Sequence, residues 1–179
     1  MRDLTSYIQC FENILSKDLC REIIDTFKLE KWNRATVSDS KISDMRKCYN
    51  LKLDDKFTKE IYNAIGKILI KYSEKFPLFS TGLTIEDTGY THLVYLGQEK
   101  GEYKIHVDHF DLHPRVLSCS LILNDDYEGG DFCFFEKEHQ YIVPKKAGSA
   151  LVFPSNFCFP HAVLPVSKGN RHAIITWIH

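Results

Sequence analysis

The sequence predicts an α+β fold in which a helical first part lies as a layer against a β-rich second part. Three observations predict it. Two apolar stripes at helical spacing fall before about residue 80, six short β-branched and aromatic runs follow, and aromatic residues are abundant at 13%, with 12 Phe and 9 Tyr. Aromatic and β-branched side chains fit a pleated surface well.

The first helix starts after Ser16, a good N-cap, with Asp18 in the first turn where the positive end of the helix dipole favours an acid. Leu19, Ile23, Ile24 and Phe27 then recur on one face. The segment from Lys31 to Asn50 is polar and mixed and has no assignable period; a loop facing a substrate is one reading. The second helix starts near Asp54 or Asp55. Its stripe is Phe57, Ile61, Ala64, Ile65, Ile68, Leu69, Tyr72 and Phe76, and Pro77 ends it because proline disfavours helix in the residue before it.

Beyond that point the period shortens. Strands are predicted over Gly89–Leu96, Tyr103–Val107, Val116–Leu123, Asp131–Phe135, Ala150–Phe153 and Ala173–Ile178. They are separated by turn residues such as Asn124-Asp125-Asp126, Gly129-Gly130, Gly148 and Lys168-Gly169-Asn170. Short strands at regular spacing indicate a sandwich or barrel. With 179 residues, no internal repeat and no linker, one domain over 1–179 is expected: helical support over about 1–80 and the β core over about 83–179.

Composition excludes several classes of function. Apolar residues at 44% and charged residues at 26% are ordinary for a globular chain. With a net charge of −1 and no basic cluster, no nucleic-acid footprint is visible. No apolar stretch suits a membrane span or a secretory signal. The six cysteines form no C-x-x-C pair, so a structural zinc site is not indicated. Several lie in apolar runs, as buried free thiols do, which suits a reducing compartment and a cytoplasmic, intracellular protein.

The chemistry concentrates at His106-Val107-Asp108. Residues two apart on a strand point to one face, so this histidine and carboxylate aim at a common point. A second histidine from another strand would complete a two-His, one-carboxylate set, which leaves three coordination positions open. His109 has the wrong parity for that face, and His113 lies in a polar loop before Pro114. His161, in Phe159-Pro160-His161-Ala162-Val163, is the third candidate. Ten residues on, Arg171 opens the last strand; a guanidinium buried there needs an anion, and its fork suits a carboxylate. Phe153, Phe157, Phe159 and Trp177 are candidates to wall such a site from water. His172 and His179 are read as solvated or satisfied histidines without a role.

From Tyr95 to Trp177, about half its length, the chain resembles the prolyl 4-hydroxylase-like branch of the iron(II)/2-oxoglutarate oxygenases. The matching elements occur in order: Tyr95 to Asp108 with Tyr103 three residues before the first His, then RVLSCSLILN, then Glu128-Gly129-Gly130-Asp131-Phe132. They continue with Gly148 to Pro154, His161, Val163-Leu164-Pro165-Val166, Gly169 and Arg171. The C-terminal part is similar to the PKHD type, in which Arg rather than Lys receives the oxoglutarate.

The resemblance implies a double-stranded β-helix (jelly roll) buttressed by the N-terminal helices. It implies Fe(II) on His106, Asp108 and His161, with 2-oxoglutarate as co-substrate, O2, and ascorbate as an accessory reductant. Arg171 maps onto the partner of the distal oxoglutarate carboxylate, and Tyr95 onto a hydroxyl that bonds the same group. A carboxylate at 108 favours hydroxylation over halogenation. The expected product is a hydroxylated C–H, foremost of peptidyl proline, with succinate and CO2 released. A free amino acid, a lysyl side chain or a small metabolite is the alternative substrate. One departure is Ile122, where many relatives carry a second Tyr.

Two rival readings stand beside it. A zinc hydrolase uses the same donors but needs a general base, for which Glu136 is the candidate. A non-catalytic jelly roll would keep the fold and bind without turnover.

Overall fold

The computed structural model describes residues 3–36, 43–81, 85–109 and 114–179. Among them run strands β1 (Gln9–Phe11), β2 (Asn33–Arg34), β3 (Arg46–Lys47), β4 (Tyr49–Lys52), β5 (Thr91–Leu96), β6 (Glu102–His106) and β7 (Leu117–Ile122). They continue with β8 (Glu128–Gly129), β9 (Phe132–Phe134), β10 (Tyr141–Ile142), β11 (Ala150–Pro154), β12 (His161–Val163), β13 (Val166–Lys168) and β14 (Asn170–Ile178). Two α-helices, α1 (Lys17–Asp25) and α2 (Asp55–Lys75), lie in the first half.

Both helices begin as the sequence dictates, though α1 ends at Asp25, before the Phe27 of its expected stripe. The Ser16 hydroxyl accepts the Leu19 N–H at 3.1 Å, and the Asp54 carboxylate accepts the Lys56 N–H at 3.1 Å, each satisfying an orphan donor of the first turn. Helix α2 stops before Pro77. It buries Phe57, Ile61, Ala64, Ile65, Ile68 and Tyr72. Each large apolar side chain of that set contributes roughly 1.5–3 kcal/mol by leaving water.

The strands form a seven-stranded antiparallel sheet in the order β1-β11-β7-β14-β5-β4-β2. A five-stranded sheet runs β10-β9-β12-β6-β3, and β13 pairs with β8. The two larger sheets are those of a jelly roll.

Alternation on the large sheet decides what faces where. On β7, Leu117, Cys119 and Leu121 join the core beneath α1 and α2, which also takes Ile174 and Ile178 of β14. The intervening residues point the other way. Leu93 and Tyr95 of β5 pack with Val163 and Val166, while Leu151 and Phe153 of β11 pack with Phe134 and Phe159. The helices thus brace one face of the large sheet and leave the other free to build a cavity.

The first half is less helical than its sequence suggests. Residues 31–50 supply β2, β3 and β4, which extend both sheets, and β1 forms the edge of the larger one. These strands are two to four residues long and mostly half-buried, so their polar residues left no period to read. Residues 37–42, within the segment read as a substrate-facing loop, lie outside the described residues. Among the described residues no helix is long and apolar enough to cross a membrane.

Candidate metal centre

Strands β6 and β12 run antiparallel with His161 opposite His106. The Nδ1 of His106 donates to the Lys104 carbonyl at 2.8 Å, and that of His161 to the Phe159 carbonyl at 3.0 Å. Fixing the proton on Nδ1 leaves each Nε2 with a free lone pair, the form a metal ligand requires. The carboxylate of Asp108 lies between them. Its Oδ1 is 3.7 Å from Nε2 of His106 and its Oδ2 is 3.5 Å from Nε2 of His161. One ligand atom from each of the three residues falls within 4.8 Å of the others, and among the described residues no other group of three or more His, Cys, Asp or Glu does so.

Strand β6 ends at His106, so Asp108 is placed by the irregular segment that follows rather than by strand alternation. The Ser118 hydroxyl, on the inner face of β7, donates to Asp108 Oδ2 at 2.7 Å and lies 2.8 Å from the Ser155 hydroxyl. Arg115 donates to the Asp108 carbonyl at 3.1 Å, and its guanidinium sits 3.7 Å from the centre of the Trp177 ring. Burial alone would raise the Asp108 carboxyl. His161 and His106, with hydrogen bonds from Ser118 and Trp177, outweigh it and hold the carboxyl below its ordinary value. Burial, and then the positive charge that His161 can carry, press His106 down to about 4. At neutral pH the set therefore presents a carboxylate and a neutral imidazole at His106.

The ligand atoms open into a cavity of about 320 Å³ whose wall includes Tyr95, Tyr103, Phe132, Phe153, Trp177 and Ser120. The ring of Phe132 stacks on His161 at 5.2 Å and that of Tyr103 on His106 at 3.5 Å. Tyr95 is buried, and its phenol is pushed up by burial, so it stays a neutral donor. Arg171, across β14 from Tyr95, is 4% exposed, with its guanidinium 5.1 Å from the Tyr95 ring. Its Nε is buried and has no hydrogen-bond partner among the described residues.

These observations test the fit of an iron(II) and 2-oxoglutarate pair. Two imidazoles and one carboxylate are the donors such a metal takes with positions to spare. A buried guanidinium with no carboxylate partner and an unsatisfied Nε among the described residues is the counterpart of a distal carboxylate. The residues present fit both groups.

Several sequence expectations need correction. Phe157 is 81% exposed and does not wall the cavity, and Phe159 packs against Tyr7 and Phe134 instead. His109, set aside on parity, does line the cavity, because the strand has ended before it. His113 lies outside the described residues. His172, by contrast, is a satisfied histidine as expected, buried against His92 with 3.1 Å between ring nitrogens. His179 is neither solvated nor satisfied at Nδ1, which is buried without a partner among the described residues. Glu136 is exposed and lines a separate hollow with Asp3 and Leu4, away from the three donors.

The sequence reading also missed Ser118, Ser120 and Arg46. The alternation in RVLSCSLILN, which sets both serines opposite Cys119 and Leu121, was the signal for the first two.

Residues 90–179 match the family model of the 2OG-Fe(II) oxygenase superfamily. Over 209 residues the chain is 26% identical to prolyl 3-hydroxylase 2 of Homo sapiens, a match covering 93% of this chain and 28% of that protein. The chain thus spans less than a third of that relative's length. It is also 26% identical over 177 residues to a PKHD-type hydroxylase of Prochlorococcus marinus, covering 93% of this chain and 75% of the other. Among solved structures, the prolyl hydroxylase of Trichoplax adhaerens, in complex with a hypoxia inducible factor oxygen degradation domain peptide, superposes with a TM-score of 0.77. The identity there is 17%, with 97% of this chain and 84% of that one covered. The family match spans the β core from Tyr90 to His179, including all three converging donors and Arg171, and on that ground the chain belongs to the 2OG-Fe(II) oxygenase superfamily.

Proposed function

We propose that the protein is an Fe(II)- and 2-oxoglutarate-dependent dioxygenase that hydroxylates an unactivated C–H, with peptidyl proline as its substrate. The observation that carries the reading is the convergence of His106, Asp108 and His161 within 4.8 Å at the wall of a cavity, with Arg171 and Tyr95 buried beside it. The peptide substrate is supported by the likeness to a PKHD-type hydroxylase and to prolyl 3-hydroxylase 2.

In this reading His106, Asp108 and His161 hold the metal by one face, and Arg171 with Tyr95 anchors the distal carboxylate of the co-substrate. Bound iron(II) with 2-oxoglutarate supplies the oxidising power: the keto acid goes to succinate and CO2, and one oxygen atom of O2 enters the substrate C–H. The chain orients and shields. Ser118 fixes the Asp108 carboxylate, Arg115 fixes the backbone beneath it, and Phe132, Phe153 and Trp177 exclude water from the reacting centre. Buried thiols such as Cys48, Cys119 and Cys133, and free cysteines throughout, support a reducing, intracellular setting.

A zinc hydrolase is the weaker reading: among the described residues that line the cavity Asp108 is the sole carboxylate, and the Glu136 that would serve as its base lies elsewhere. The test is a panel of proline-containing peptides with Fe(II), 2-oxoglutarate and O2, read by mass spectrometry. A gain of one oxygen atom on proline, matched by succinate, supports the proposal. Turnover on free amino acids, lysyl peptides or small metabolites with none on proline peptides overturns the choice of substrate.

A further inference from the structure

Two arginines without a carboxylate partner among the described residues lie on either side of Tyr95: Arg46 lines the cavity, and Arg171 is buried against the Tyr95 ring at the cavity wall. Arg171 comes from the start of β14 in the large sheet, and Arg46 comes from β3 at the edge of the small one. Among the described residues neither has a carboxylate within ion-pair range. The Nε of each is buried without a hydrogen-bond partner among the described residues. Arg46 lines the cavity and donates from Nη1 to the Thr36 carbonyl at 3.2 Å. Its guanidinium lies 4.8 Å from the Tyr103 ring, whose other neighbour is His106.

The two cations are linked through one short row. Cys48, two residues beyond Arg46, continues the β4–β5 register in which Tyr49 faces Val94, so it lies beside Tyr95. Its buried thiol lies close enough to Arg46, Tyr95 and Arg171 for all three to act on its pKa, which burial raises. Tyr95 in turn pairs with Arg171 across β5 and β14. Arg46 and Arg171 thus flank Tyr95 from the two sheets. Two partly desolvated guanidiniums around one phenol repel each other, and the arrangement is costly until an anion enters. A carboxylate held from two sides can use both forks and accept from the phenol as well.

We propose that Arg46 is a second anchor for the distal carboxylate of 2-oxoglutarate, which is clamped between the guanidiniums of Arg46 and Arg171 and takes the Tyr95 hydroxyl as a third donor. The inference rests on the co-substrate reading above. It makes the small sheet a co-substrate sensor: β3 carries Arg46 and pairs with β6, which carries His106. The distal carboxylate would then tie the metal-bearing sheet to the start of β14.

The experiment compares 2-oxoglutarate with 2-oxobutyrate, a keto acid without the distal carboxylate, on the anaerobic Fe(II)-loaded protein by calorimetry. Wild type, Arg46→Gln, Arg46→Lys and Arg171→Gln are titrated, and each is melted without ligand to confirm that it folds. Expected are a loss of about tenfold or more in 2-oxoglutarate affinity for Arg46→Gln, partial recovery in Arg46→Lys, and unchanged 2-oxobutyrate affinity throughout. Arg46→Gln is also expected to melt no lower than wild type without ligand and to gain less from added 2-oxoglutarate. Wild-type 2-oxoglutarate affinity in Arg46→Gln, beside a loss in Arg171→Gln, overturns the clamp while leaving the co-substrate reading intact. The same result with a raised KM for the hydroxylated substrate overturns it too and assigns Arg46 to a substrate group. A wild type that binds neither keto acid overturns the co-substrate reading itself and the clamp with it.

Discussion

His106 and His161 face each other as a register pair between β6 and β12, and each ring donates Nδ1–H to a carbonyl two residues upstream. The backbone therefore sets the tautomer of both rings, and both Nε2 atoms point toward Asp108. His161→Ala is expected to abolish Co(II) binding measurable by its visible absorption, with the circular dichroism spectrum unchanged. Retained binding with wild-type stoichiometry would remove His161 from the ligand set.

Ser118 is the hydroxyl that orients Asp108. Ser118→Ala removes one hydrogen bond to the carboxylate and leaves Ser155 without its neighbour. The expected cost is about 10–100-fold in metal affinity, the usual effect of removing a group that orients a ligand. A competition titration against a chelator measures it. An unchanged affinity would mean that the segment after β6 holds Asp108 unaided.

The His92–His172 pair makes stability depend on pH. Burial lowers His92 to about 3, with the His172 charge adding to it, and burial lowers His172 to about 4. Both rings lie below their unfolded value, so the unfolded chain binds more protons in acid. Their contribution is fully present above about pH 6.5 and is lost as the pH falls toward 4 and 3, on the order of a few kcal/mol in total. Melting scans from pH 7.5 to 4 should show Tm falling below pH 6.5, and His172→Gln should flatten part of that fall. A variant that tracks wild type across the range contradicts the assignment.

Gly148 joins the helical layer to the large sheet. Its carbonyl accepts from Ile14 and Leu15, its N–H donates to Ile122, and its φ is +80°. A Cβ there would press on the Leu15 carbonyl. Gly148→Ala combines a left-handed backbone with that clash and is expected to destabilise by about 2 kcal/mol or more. Chemical denaturation measures it, and a change under half of that would mean the loop shifts without penalty.

How much of this was legible depends on length and period. Helix α2 repeats its apolar stripe over 21 residues and could be read from sequence. Strands β12 and β13 are three residues each, too short for a pattern. His106 and Asp108 were legible because an H-x-D sits at a strand end, and His161 and Arg171 through ordered motifs shared with a known family. Arg46 was not, because its strand has two residues and its meaning arises only when β3 pairs with β6 and chain continuity sets Cys48 beside Tyr95. Phe157 misled because proximity in sequence to His161 does not fix the direction of a loop side chain.

The visible spectrum of the protein with Fe(II) and 2-oxoglutarate under anaerobic conditions tests the metal and co-substrate assignment most directly. Chelation of the keto acid should give a weak charge-transfer band, absent in His106→Ala, that fades with succinate formation when O2 is admitted. A wild-type protein that gives no band and binds neither Fe(II) nor 2-oxoglutarate would contradict it.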